Sequence, residues 1–230
     1  MKKQQNSRNC FVCGVENEFG LHLELDAVKV GVRTLSIGAN VRLQDLLKVT
    51  QILPALSQAI RHEETCNPRQ MLSVADTIVA ADGRSPFATA MLALDTRLIL
   101  MHESAAEQVY LGDFLPLRSE WSQYLIAQVT IPSNVKMAYH YIDRSPADLP
   151  IVCAAAVQWH SGRTRIALGG YGHSPLMAMD GRKSDGAEIA ARDAYSEAGD
   201  QSASAEYRAD AAATMTRRCL QEIGGISAEI

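Results

Sequence analysis

The most informative segment of this sequence is Ser73-Val74-Ala75-Asp76-Thr77-Ile78-Val79-Ala80-Ala81-Asp82. It runs through a polar turn, Gly83-Arg84-Ser85-Pro86, into an apolar segment, Phe87 to Leu94, that predicts a short helix. Ser85 before Pro86 is typical of a helix N-terminus, because a proline at the first helical position sacrifices no intrahelical hydrogen bond. Asp82, Arg84 and Ser85 are also candidates for a polar site, but this signature favours a cap.

Composition limits the class of protein. The chain has 230 residues, of which 47% are hydrophobic, enough for one large domain or two small ones. A net charge of −4 does not suggest a nucleic-acid-binding surface, which needs a clustered basic excess. The N-terminus lacks the apolar core of a secretory signal, and no apolar run approaches the roughly 20 residues that span a bilayer. Five cysteines, an odd number, indicate a reducing cytoplasm rather than a disulfide framework.

Hydrophobic patterning predicts mixed α and β structure on both sides of this stretch. Strands are expected at 34–37, 97–100, 108–111, 125–131, 137–141, 151–159 and 165–168, and helices from Pro54 and over about 187–197 and 203–223. The alternation of Leu125, Ala127, Val129 and Ile131 predicts a half-buried strand, whereas the run 151–159 predicts a strand covered on both faces. We predict the α+β class, with an N-terminal segment at 1–29, a subdomain at 30–132 and a second domain at 133–230.

Several segments, in order, resemble the FAD-binding subunit of the molybdenum hydroxylases, the family of the carbon monoxide dehydrogenase medium subunit and the xanthine dehydrogenase flavin domain. These segments are Leu35-Ser36-Ile37-Gly38-Ala39, Ser73 to Asp95, Leu111-Gly112-Asp113-Phe114, Val129-Thr130-Ile131-Pro132, Arg165 to Gly170 and Ala205-Glu206-Tyr207-Arg208. The resemblance implies a FAD-binding type-2 (PCMH-like) α/β subdomain followed by a C-terminal antiparallel sheet with helices. It also implies an oxidoreductase flavoprotein whose chemistry belongs to FAD, with molybdopterin-binding and iron–sulfur subunits as partners and no catalytic residue of its own.

The resemblance also implies the cofactor site. In the family, two glycine-rich turns hold the flavin diphosphate, because backbone N–H groups converge best where no Cβ intervenes. The first turn is not found in this chain. At the second, the family's Thr-Ile-Gly-Gly-Asn-Leu corresponds to Ser73, Val74, Ala75, Asp76, Thr77 and Ile78. FAD would then contact Ser73, Val74, Ala75, Asp76 and Thr77, together with the region of Asp82.

The Asp76 carboxylate is unfavourable for tight flavin binding. A carboxylate about 4 Å from a diphosphate is repelled by roughly 4 kcal/mol at an effective dielectric near 20, which weakens binding by about three powers of ten. If FAD binds, we expect Asp76 to point away or to be neutralised by Arg84 or Arg69, while the Ser73 and Thr77 hydroxyls donate. The alternative is a non-catalytic scaffold or subunit-contact protein that has lost FAD.

The first 25 or so residues carry a different resemblance. Asn9-Cys10-Phe11-Val12-Cys13-Gly14 and Gly20-Leu21-His22-Leu23 are similar to the start of hotdog-fold thioesterases. No catalytic residue of those enzymes follows, so a thioesterase-related protein is the third hypothesis. Cys10 and Cys13 could form half of a zinc site, but the sequence offers no second pair, and no metal site is predicted.

Overall fold

The computed structural model describes residues 24–103, 105–145 and 148–225, which form two antiparallel sheets with helices around them. The first sheet has the order β1-β2-β5-β3-β4, and the second has the order β6-β7-β8-β9. The strands are β1 Val28–Val30, β2 Thr34–Gly38, β3 Arg97–His102, β4 Ala105–Tyr110, β5 Leu125–Pro132, β6 Lys136–Ile142, β7 Val152–Gln158, β8 Thr164–Gly169 and β9 Leu176–Gly181. The predicted α+β class is confirmed.

The helices differ widely in length. They are α1 Leu43–Leu46, α2 Pro54–Glu63, α3 Cys66–Arg69, α4 Val74–Ala80, α5 Pro86–Ala93, α6 Leu111–Phe114, α7 Ala187–Ala194 and α8 Ala205–Gly224. No helix in the described ranges has the length and apolar character needed to cross a bilayer. The predicted features of residues 1–23, including the Cys10–Cys13 pair, lie outside the described residues.

Burial along the strands follows the sequence patterns. In β5, Ala127, Val129 and Ile131 are buried and alternate with half-buried residues, as predicted. The prediction is wrong at Leu125, which is 74% exposed while Ile126 is buried, opposite the register shift at Ile99 and Leu100 of β3. In β7 the six residues from Val152 to Val157 are all buried, because α5 covers one face of the strand and α8 the other. The prediction of a strand covered on both faces is confirmed.

Helix α5 is the centre of the molecule. All eight of its residues are buried, and the helix packs against α2, β7 and β8. The Ser85 side chain caps it by accepting the Ala88 N–H at 3.0 Å, so the predicted N-terminus is confirmed. Glu63, the last residue of α2, accepts the Ser85 hydroxyl at 2.9 Å and the Phe87 N–H at 2.8 Å. The two helices are therefore joined end to end by this carboxylate.

The turn before α5 is bonded to the second sheet at Gly83. The Gly83 N–H donates to the Gly172 carbonyl at 3.0 Å, and the Gly83 carbonyl accepts the Gly170 N–H at 2.7 Å. A Cβ at Gly83 would lie 2.0 Å from the Tyr171 carbonyl oxygen. Only glycine allows the two backbones to approach so closely.

Helix α8 is anchored by one buried guanidinium. Arg208, 1% exposed, donates to the Ile151 carbonyl at 2.8 Å, to the Gly170 carbonyl, and to both carboxylate oxygens of Asp200 at 2.7 Å. Its partners lie in three connections, between β6 and β7, between β8 and β9, and between α7 and α8. These hydrogen bonds offset the cost of burying the charge, although the buried Arg208 Nε has no hydrogen-bond partner in the described part of the chain.

Candidate functional site

A large cleft lies beside the first sheet, where the β2–α1 connection faces the start of α4 and the ends of β3 and β5. Its volume is about 1340 Å³, which is more than the roughly 300–1,000 Å³ of common ligand pockets. Its lining includes Asp26, Arg42, Asp45, Met71, Ser73, Ala75, Asp76 and Glu103. The cleft can therefore admit a dinucleotide.

Ser73 and Asp76 form a reciprocal capping box at the N-terminus of α4. The Asp76 N–H donates to the Ser73 hydroxyl oxygen at 3.1 Å. In return, the Asp76 carboxylate accepts the Ser73 N–H at 3.2 Å and the Ser73 hydroxyl at 2.7 Å. Asp76 is thus turned back onto the turn itself, and the turn is the first turn of a helix rather than an open loop.

The other donors of this segment are also used within the protein. The Val74 N–H bonds to the Val41 carbonyl at 2.9 Å, and the Ala75 N–H bonds to the Ala39 carbonyl at 3.1 Å. Thr77 donates both its N–H, at 3.0 Å, and its hydroxyl, at 2.8 Å, to the Ser73 carbonyl. The expectation that the Ser73 and Thr77 hydroxyls donate to a ligand is not met in this conformation, and the turn does not fit a diphosphate.

The predicted site residues divide into three groups. Ser73, Ala75 and Asp76 line the cleft, whereas Val74 and Thr77 are buried and outside its lining. Asp82 is exposed, is not among the cleft-lining residues, and accepts the Arg84 N–H at 2.7 Å. The cleft therefore brings together three of the six residues, and Asp82 shapes the turn before α5.

Neither predicted counter-ion contacts Asp76. The Arg84 guanidinium donates to the Leu149 carbonyl at 2.8 Å, and the Arg69 guanidinium donates to Gln44 at 3.1 Å and to backbone carbonyls. Of the two alternatives expected for Asp76, neutralisation by Arg84 or Arg69 is wrong. The Asp76 carboxylate is instead turned back onto Ser73 and accepts its hydrogen bonds.

Charge along the cleft is mostly negative. Of the described residues that line it, four are carboxylates, and one, Arg42, is a guanidinium. Sequence reasoning did not single out Arg42, because its position beside Ser73 depends on a backbone bridge between residues 31 positions apart. The cleft fits a dinucleotide in size and offers one cationic side chain for its phosphates, although the Ser73–Thr77 turn offers none of its donors.

Two titratable side chains outside the cleft have structural roles. Burial raises the pKa of Glu63 to about 7, against the opposing effect of the hydrogen bonds from Phe87 and Ser85. Burial raises the pKa of Cys153 to about 12, so its thiol stays protonated and is no nucleophile at neutral pH. Within the described ranges, no group of three or more His, Cys, Asp and Glu side chains could hold a metal ion.

The sequence matches a family model described as the FAD binding domain in molybdopterin dehydrogenase over residues 21–134. The glyceraldehyde dehydrogenase medium chain of Sulfolobus acidocaldarius is 27% identical over 172 residues, 70% of this chain and 61% of that protein. The uncharacterized protein YgfM of Escherichia coli K12 is 30% identical over 162 residues, 70% of this chain and 60% of that protein. The chain thus spans about three fifths of these relatives.

Solved structures agree on the fold. Quinoline 2-oxidoreductase from Pseudomonas putida 86 has a TM-score of 0.69 at 21% identity, with 88% of this chain and 79% of that chain covered. The cyanide-inactivated Cu,Mo-CO dehydrogenase has a TM-score of 0.72 at 22% identity, with the same coverage. Carbon monoxide dehydrogenase from Hydrogenophaga pseudoflava has a TM-score of 0.73 at 21% identity, with 89% and 79% covered. At these identities the likeness establishes the architecture alone.

Proposed function

Because this chain belongs, through residues 21–134, to the family of FAD binding domains in molybdopterin dehydrogenase, we propose that it is a flavin-binding component of such an enzyme. One observation carries the proposal: every residue that lines the large cleft lies within the range matched by the family. When bound, FAD would accept and pass on electrons, and the protein would supply binding and orientation. The side chains of Ser73, Ala75 and Asp76 would form part of the cleft wall.

The two sheets suggest different roles for the two parts of the chain. We propose that residues 30–132, with the first sheet, carry the cofactor cleft, and that residues 133–230, with the second sheet, form the C-terminal domain. The relative from S. acidocaldarius is named as a medium chain, which implies chains of other sizes beside it. By likeness, this chain would work with molybdopterin-binding and iron–sulfur subunits in the cytoplasm.

A second candidate function has a specific observation in its favour. The capping box uses the donors of the Ser73–Thr77 turn, and four carboxylates line the cleft. Both features oppose a diphosphate, because they remove hydrogen-bond donors and add like charge. Under this alternative, the fold serves as a non-catalytic scaffold or subunit contact that has lost FAD.

Flavin titration separates the two candidates. The visible spectrum of the purified full-length protein is recorded first, and FAD is then titrated while its fluorescence is followed. Flavin absorption bands in the purified protein, or saturable quenching in the micromolar range, are expected if the cleft holds FAD. A colourless protein that leaves FAD fluorescence unchanged up to millimolar protein would contradict the flavin proposal and favour the scaffold.

A further inference from the structure

Arg42 lies at the wall of the cleft beside the turn that the family uses for phosphates. It is the residue before α1, and its backbone forms an antiparallel bridge with Ser73. Its Nη1 donates to the Met71 carbonyl, which holds the guanidinium against the loop that leads into α4. The residue is exposed and lines the cleft. A fixed cation therefore stands next to Ser73, on the same wall.

The Arg42 guanidinium retains donors for a ligand. A guanidinium has five N–H groups in a planar fork. Among the residues that the structure describes, its hydrogen-bond partner is the Met71 carbonyl, which uses one nitrogen. The remaining N–H groups match two oxygens of a phosphate in bidentate geometry, and this geometry gives the stronger charge-assisted hydrogen bonds.

The neighbouring carboxylates are held by other groups. Asp45 pairs with Lys48 at 2.6 Å, and Asp76 accepts from Ser73. Within the described chain, neither carboxylate forms an ion pair with Arg42. Because the other charged side chains of the described lining are acidic, Arg42 is the place where an anionic group gains attraction.

We propose that Arg42, rather than the backbone of Ser73–Thr77, is the residue of this chain that binds the phosphates of a dinucleotide in the cleft. This inference rests on the proposed flavin-binding function and assigns its phosphate contact. It follows that the phosphate-dependent part of the affinity depends on one side chain. FAD and riboflavin, which share the ring system but differ in the phosphates, should therefore respond differently to its removal.

The experiment compares FAD and riboflavin binding by the wild-type protein, Arg42→Gln and Arg42→Lys. The matched control is Arg97→Gln, an exposed arginine on β3 that is outside the cleft lining. Arg42→Gln should weaken FAD binding by about tenfold or more, the loss expected for one charge-assisted hydrogen-bonding group, and leave riboflavin binding unchanged. Arg42→Lys should fall between, because lysine keeps the charge but not the fork. Arg97→Gln should match the wild type for both ligands.

The outcomes that overturn the inference are distinct from those that overturn the function. Equal loss of FAD and riboflavin binding in Arg42→Gln would show that Arg42 only shapes the wall. Unchanged FAD binding in a folded Arg42→Gln protein, with a wild-type melting temperature, would show that the phosphates contact other groups. If the wild-type protein binds neither flavin, the proposed function fails, and the phosphate assignment fails with it.

Discussion

At the scale of single residues, Asp76 decides what the start of α4 offers to a ligand. Its carboxylate accepts hydrogen bonds from the Ser73 N–H and the Ser73 hydroxyl, so neither donor is available to a phosphate oxygen. The aspartate thus acts as an internal anion for its own turn. It stabilises the helix and at the same time repels an external anion.

Replacement of Asp76 by alanine should change stability and affinity in opposite directions. Loss of half of the capping box should lower the free energy of unfolding by about 1 kcal/mol. FAD binding should become stronger, because a negative charge is removed and the Ser73 donors are released. Chemical denaturation and the FAD titration measure the two effects. Asp82→Ala, which changes a turn outside the cleft lining, is the control for affinity, and weaker FAD binding in Asp76→Ala would contradict the argument.

At the scale of elements, helix starts that depend on neighbouring residues could be predicted from the sequence, whereas contacts between distant residues could not. Ser85-Pro86 marks the start of α5 within the sequence itself, so this helix was predicted correctly. Ser73-x-x-Asp76 is equally a local capping signature. This cap was not predicted, because the same residues correspond to the phosphate-binding turn of the family. The partners of Arg42 and Glu63 lie 29 and 22 residues away, and no local pattern encodes such contacts.

The second sheet shows the same limit. The strands predicted at 151–159 and 165–168 are present as β7 and β8. The edge strand β9, from Leu176 to Gly181, was not predicted. Its apolar run, Leu176 to Met179, is short and ends in Asp180-Gly181, and a run of this length does not distinguish a strand from a loop or a buried helical turn. An edge strand forms by hydrogen bonding to a neighbouring strand, here β8, and a local sequence pattern does not identify that neighbour.

The junction of α2 and α5 should respond to pH through Glu63. Its folded pKa of about 7 lies above the ordinary value of 4.5, so the fold favours the protonated acid. The stability this gives is fully present below pH 4.5 and is lost as the pH rises through 7. Glu63→Gln stays neutral and keeps an acceptor. The difference in unfolding free energy between Glu63→Gln and the wild type should therefore rise by about 2 kcal/mol, in favour of the variant, from pH 5 to pH 8.

Urea denaturation at the two pH values measures this gain. Glu107→Gln, at an exposed position on β4, is the control and should not reproduce this gain. A Glu63→Gln difference that does not change with pH would mean that the carboxyl does not titrate in this range in the folded protein.

At the scale of the whole molecule, helix α5 and Gly83 connect the two sheets. Helix α5 contributes to the cores of both sheets, and Gly83 bonds the turn before it to the loop after β8. The sequence showed Gly83 only as part of a polar turn. The need for glycine appears only when the Tyr171 carbonyl is placed against it.

Gly83→Ala should therefore destabilise the entire fold rather than one sheet. Because the added Cβ meets backbone that must shift, we expect a loss of about 2 to 3 kcal/mol. That loss lowers the melting temperature by roughly 5 to 10 °C for a chain of this size. Gly224→Ala is the matched control, since its Cβ would meet nothing within 4 Å. Calorimetry on both variants tests this connection, and a wild-type melting temperature in Gly83→Ala would refute it.

The complete burial of α5 also has a consequence for synthesis on the ribosome. The helix ends at Ala93, but the strands that cover its second side end at Gln158 and Gly169. At translation speeds of roughly 5–20 residues per second, an apolar surface stays uncovered for about 4 to 15 seconds. We therefore expect the nascent chain to bind chaperones during that interval. Slow codons placed between these segments should lower the yield of folded protein.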